Sequence, residues 1–135
     1  MVDNNDSQDW KNKDELKKRL TAVEYDVTQN AGTERPFTGK YWNFFENGVY
    51  NCIVCNVPIF TSEDKFESHC GWPSFSNESF KGTVEYLSDY SHGMTRVEIR
   101  CKNCGAHLGH VFEDGPLPTR QRYCVNSASI NFKKK

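Results

Sequence analysis

No stretch of the 135-residue sequence approaches the length of a membrane-spanning helix, and neither sign of charge is in excess. The first absence removes a transmembrane reading. The second, 17 basic against 18 acidic residues for a formal charge of -1, leaves no general electrostatic drive toward nucleic acid or an anionic membrane. Met1 to Asp6 has neither the basic segment and apolar run of a secretory signal nor the arginines of a transit peptide, so a cytoplasmic location is expected. No internal repeat of useful length occurs, and a second enzymatic domain would not fit. A single domain over 1–135 is expected, large enough for a real core and small enough for a metal to matter to its stability.

What is present changes character at Gly48. Residues 1–9 are polar and expected to be disordered, and 10–32 read as helical. Leu16 and Leu20 stand at i,i+4 on one face of a short surface helix, and Thr21-Ala22-Val23-Glu24 opens a second helix with a capping box, with Gly32 as its stop. Thr33 to Asn47 reads as loop carrying Phe37, Tyr41, Trp42, Phe44 and Phe45, more in keeping with core packing than with a pocket lid. From 48 to 132, short alternating runs separated by Gly, Pro, Asn and Asp predict antiparallel strands. The candidates are 49–54, 83–87, 95–100, 106–112 and 122–132. In 95–100, alternation puts Val97 and Ile99 on a buried face and Arg96, Glu98 and Arg100 on the other. The closing Lys133-Lys134-Lys135 is too short for a nucleic-acid arm and reads as a solvated tail.

Six cysteines without an export signal favour metal binding or catalysis over structural disulfides. Cys52-Ile53-Val54-Cys55 and Cys101-Lys102-Asn103-Cys104 each let two sulfurs of one tight turn take adjacent corners of a tetrahedron. Asn56 and Gly105 follow them, residue types that tolerate the positive φ such a turn needs. Four thiolates fill a tetrahedral site and leave no position for water or substrate, so one structural zinc is expected. A thioredoxin-like redox role for one pair is weaker, because neither lies in a β-α-β pattern.

Cys70 and Cys124 remain. Gly71-Trp72-Pro73-Ser74-Phe75, Arg122-Tyr123-Cys124-Val125-Asn126-Ser127 and the run from Cys101 through Cys104-Gly105-Ala106-His107-Leu108-Gly109-His110 to Pro116 closely resemble the methionine sulfoxide reductase B family, over roughly 16–132. The resemblance implies a mainly β fold, with two twisted antiparallel sheets forming a barrel-like core, short N-terminal helices and the four-cysteine zinc site. It implies reduction of methionine-(R)-sulfoxide, repair of oxidised proteins, Cys124 as nucleophile, Cys70 as resolving cysteine and thioredoxin as reductant. Departures from the family pattern are slight: Arg120 and Gln121 before the nucleophile motif, and the basic tail. They bear on substrate reach and reductant docking.

The residues around the two thiols support that chemistry. If 122–132 is one strand, Arg122, Cys124 and Asn126 share a face, continued by Ala128, Ile130 and Phe132, and a guanidinium beside Cys124 favours its thiolate. A surface ion pair is the other reading of Arg122. Sulfoxide reduction also needs a proton at oxygen, which His107 and His110 are suited to supply. Residues three apart on a regular strand face opposite ways, so a bulge or bend near Gly109 is predicted. Asp114 either orients a histidine or shapes the turn before Gly115-Pro116. Trp72 supplies an apolar wall for the sulfoxide methyl group, with Phe75 or Tyr41-Trp42 as additions. No sequence feature demands a dimer, so a monomer is expected. Two other classes fit the same residues: a zinc-dependent binding module, for which Cys124 would be dispensable, and a cysteine hydrolase built on Cys124, His110 and Asn126.

Overall fold

The computed structural model describes residues 9–135, so the expected disorder of 1–8 lies outside the described residues, while Asp9 begins a 3-10 turn, Asp9–Lys11. A helix spans Lys13–Arg19, capped by the Asn12 carboxamide, which accepts from the Asp14 and Glu15 amides. The next, Ala22–Asn30, starts with the capping box read from Thr21 and Glu24. It ends at Ala31 in the left-handed region, one residue before the expected stop at Gly32. Leu16 and Leu20 are both buried, and the Arg19 guanidinium donates to the carbonyls of Ile53 and Val54, tying the first helix to the first cysteine turn.

Nine strands follow: β1 Gly48–Cys52, β2 Pro58–Thr61, β3 Lys65–Phe66, β4 Ser74–Phe75, β5 Val84–Asp89, β6 Arg96–Cys101, β7 His107–Phe112, β8 Arg122–Val125 and β9 Ile130–Lys134. They form two antiparallel sheets, in the orders β2-β1-β9 and β3-β4-β8-β7-β6-β5. The mainly β class expected from the alternating runs is the class observed. Tyr50, Phe60, Phe75 and Tyr123 pack as an aromatic centre, with the Phe60 and Phe75 rings stacked 4.3 Å apart. Tyr41 and Phe44 of the preceding loop pack against Tyr50 and Phe132, as the packing reading expects, whereas Phe37 and Phe45 are exposed.

Two strand expectations fail for identifiable reasons. The run 122–132 is not one strand, because it turns at Ser127–Ser129 and passes from one sheet to the other. The turn is held by Glu34, a buried carboxylate that accepts the amides of Ser127 and Ala128, each at 2.9 Å. Ala128, Ile130 and Phe132 therefore do not continue the row of Cys124. In β6, Ile99 is buried, but Val97 is exposed and Glu98 is the buried neighbour. Ion pairing overrides alternation there, since Glu98 binds Arg100 and His107. The short strands β2, β3 and β4 were not among those expected.

Candidate active site

The two cysteine turns meet although 45 residues separate them in sequence. Asn56 and Gly105 have φ of 70° and 81°, the reversals expected after each pair. The sulfurs of Cys52, Cys55, Cys101 and Cys104 all lie within 4.8 Å of one another, and Cys52–Cys104 and Cys55–Cys101 are each 3.6 Å apart. A tetrahedron of Zn–S bonds of about 2.3 Å has edges near 3.8 Å, so the cage has the size zinc requires. Among the described residues this is the one cluster of three or more His, Cys, Asp and Glu side chains able to hold a metal.

Within the six-stranded sheet, β4 and β8 pair with Ser74 facing Cys124 in register. The chain before β4 returns Cys70 to this point, and the Cys70 and Cys124 sulfurs stand 3.9 Å apart as free thiols. They share the wall of a cavity of about 230 Å³ with Trp72, His110, Arg122 and Asn126. The contact with Cys124 brings the Cys70 thiol down to about 4, aided by the Ser68 and Ser74 hydroxyls against the opposing effect of burial. The same contact, together with burial, pushes the Cys124 thiol up, and Arg122 opposes that. The contact therefore favours one proton shared between the two sulfurs over two ionised thiols.

The predicted irregularity near Gly109 is present. Ile99 pairs with Gly109 but Arg100 pairs with His107, so β7 carries one extra residue, Leu108. The bulge turns His107 and His110 toward each other, with ring centroids 5.6 Å apart. Only His110 reaches the thiol cavity, however. His110 lines the thiol cavity, whereas His107 is 4% exposed and lines an adjoining polar cavity of about 290 Å³ that His110 also borders. His110 Nε2 is 2.7 Å from the Asp89 carboxylate, and His107 Nδ1 is 2.7 Å from Glu98. Burial holds the His107 imidazole below its ordinary value despite Glu98.

Asp114 contacts neither histidine. It makes a two-point ion pair with Arg122, at 2.8 and 3.2 Å, which holds the guanidinium over the Phe112 ring at the cavity wall. Arg122 is thus a cavity residue and an ion-pair partner at once. Asn126 is buried: its side-chain amide donates to the Leu108 carbonyl and its side-chain oxygen accepts the Glu34 amide. Trp72 lines the cavity with its indole N–H donating to the Glu34 carbonyl at 3.0 Å. Phe75 does not line it. It points to the other face of β4 and is fully buried against Phe60. Tyr41 and Trp42 are likewise absent from its lining.

The SelR domain family matches residues 20–134. The chain belongs to the methionine sulfoxide reductase B family. It is 56% identical over 119 residues to the peptide methionine sulfoxide reductases MsrB of Escherichia coli (strain K12 / DH10B) and Escherichia coli (strain SE11), covering 88% of this chain and 87% of each relative.

Within that family frame, sequence reasoning missed the acidic partners. Asp89 and Glu98 sit 21 and 9 residues from the histidines they contact, and the strand pairing of β5, β6 and β7 brings them there. The available signal was slight: Glu98 stands between Val97 and Ile99, while nothing around Asp89 marks it. Glu34 lay in a segment read as loop, and only the fold reveals that it braces both Trp72 and the Ser127–Ser129 turn.

Proposed function

We propose that this protein reduces methionine-(R)-sulfoxide, in proteins and in free form, to methionine, and so repairs oxidised proteins. The observation that carries the reading is the pair of free thiols 3.9 Å apart on the wall of a cavity that also holds a histidine, an arginine and a tryptophan. The Cys124 sulfur attacks the sulfoxide sulfur, with Trp72 as the apolar wall for the methyl group and Arg122 favouring the thiolate. His110, held by Asp89, donates the proton to oxygen, which passes to Cys124 as sulfenic acid while methionine leaves. His107 supports that ring from the adjoining cavity, Asn126 fixes the end of β8, and Asp114 fixes Arg122. Cys70 then condenses with the sulfenic acid, releasing water and forming the Cys70–Cys124 disulfide. The R preference and thioredoxin as the dithiol that reduces this disulfide are carried over from the family.

Cys52, Cys55, Cys101 and Cys104 would hold one zinc ion, whose role is to tie the two turns together, since all four positions are taken by protein. No helix among the described residues is long and apolar enough to cross a membrane. We assign the protein to the cytoplasm as a monomer that binds neither nucleic acid nor membrane. Incubating it with both epimers of a methionine sulfoxide peptide and dithiothreitol, beside Cys124→Ser, tests the reading. Consumption of the R epimer alone, lost in the variant, is expected. Consumption of neither epimer by the folded protein would overturn it in favour of a binding module.

A further inference from the structure

The surroundings of Cys70 differ from those of Cys124 in a way the first step does not use. The Ser68 hydroxyl is 2.9 Å from the Cys70 sulfur and 2.6 Å from the Ser74 hydroxyl, which itself lies 3.4 Å from Cys70. Ser74 is 1% exposed and fixed by strand pairing directly opposite Cys124. The Cys70 S–H has its own acceptor, the Trp72 carbonyl, at 3.5 Å. The site therefore accommodates both forms of the sulfur. As a thiol it donates to Trp72. As a thiolate it accepts from Ser68, whose oxygen accepts from Ser74 when that hydroxyl turns from the Trp72 carbonyl, 3.2 Å away, and a donor that is itself an acceptor is strengthened.

We infer that Ser68 and Ser74 are positioning residues for the resolving step, holding the Cys70 sulfur in reach of Cys124 and stabilising it as the thiolate that attacks the sulfenic acid. This rests on the assignment of Cys124 as nucleophile. In the step, the Cys70 sulfur bonds to the Cys124 sulfur while the Cys124 S–O bond breaks. The Cys70 sulfur is oxidised and the sulfenic sulfur reduced, both to the disulfide level. The hydroxide leaves as water with the proton Cys70 gave up. The lowered Cys70 thiol accords with this arrangement. The geometry also separates the two steps, because neither hydroxyl lines the substrate cavity.

The test is a rapid-quench single turnover on a sulfoxide peptide without reductant, following methionine released and free thiols lost, for the native protein, Ser68→Ala, Ser68→Thr and Ser74→Ala. A hydrogen bond to a charged group corresponds to roughly tenfold in rate. Disulfide formation should slow about tenfold in each alanine variant while methionine release keeps its native rate, and Ser68→Thr should restore the second step. In a Cys124→Ser background, the pH midpoint for alkylation of Cys70 should rise on Ser68→Ala. Native disulfide rates with an unmoved midpoint would overturn the inference, as would equal slowing of both steps in Ser68→Ala and Ser68→Thr, which marks a purely structural role. Failure of the native protein to release methionine would instead overturn the nucleophile assignment.

Discussion

Gly109→Ala should cripple the site without touching a reactive group. Gly109 pairs with Val125 across β7 and β8, and a Cβ there would stand 2.0 Å from the Cys124 carbonyl oxygen and 3.0 Å from the Val125 Cα. Both obstacles are backbone, so no rotamer change relieves them. The strands must part by about 1.4 Å before the closer contact reaches 3.4 Å, the lower limit of ordinary contact. The displaced residue is Cys124 itself, and a misplacement of about 1 Å costs roughly a hundredfold in rate. Overpacking of this kind also destabilises by about 1–3 kcal/mol, a fall in Tm of roughly 5 to 10 °C. The assay is kcat on a sulfoxide peptide at a temperature where circular dichroism shows the variant folded. Gly82→Ala is the control: its φ of 85° strains an alanine, but nothing lies within 4 Å of the added carbon, so it should lose stability and keep its activity. A Gly109→Ala protein with kcat within about twofold of native would refute the argument that this close approach sets the position of Cys124.

Asp89→Asn keeps an oxygen for the His110 ring but removes the charge 2.7 Å from it, so kcat should fall about tenfold with KM little changed; an unchanged kcat would remove Asp89 from the account. Extracting the metal with a strong chelator should unfold the protein or lower its Tm by more than 10 °C, roughly, and zinc should restore it, because binding to a preformed four-thiolate site contributes directly to folding. Lys65 is buried, its ammonium lies 3.8 Å over the Phe45 ring with no hydrogen-bond partner among the described residues, and burial pushes its amine from 10.5 down to about 8. A base lowered on folding opposes stability fully below pH 8 and progressively less from there to 10.5. Lys65→Met should therefore be more stable by about 1–2 kcal/mol at pH 7, with the gain shrinking above pH 8 in chemical denaturation. A gain that does not vary with pH would contradict the sign of this linkage.

The residues most legible in sequence were those whose chemistry is carried by local spacing. Two C-x-x-C turns need only a tight reversal and a residue tolerant of positive φ, and both were readable from adjacent positions. The capping box at Thr21 and Glu24 is local for the same reason. The irregularity near Gly109 followed from a conflict between two histidines and strand alternation, although the extra residue proved to be Leu108. What failed depended on partners distant in sequence. Periodicity could not reveal that Glu34, over ninety residues away, breaks the 122–132 run by binding Ser127 and Ala128. Nor could it reveal that Glu98 is buried because His107 and Arg100 surround it. Phe75, expected beside Trp72 at the cavity, is sent to the core by alternation along β4, and a two-residue strand gives too little pattern to show this in advance.

If Cys124 takes the oxygen from the sulfoxide, that oxygen can be trapped on its sulfur. Cys70→Ser, given one equivalent of (R)-sulfoxide peptide without reductant and then a sulfenic-acid-specific 1,3-diketone, should release one equivalent of methionine peptide and carry the label on Cys124 alone. Methionine formed with Cys124 unlabelled, or a label on another cysteine, would contradict the account.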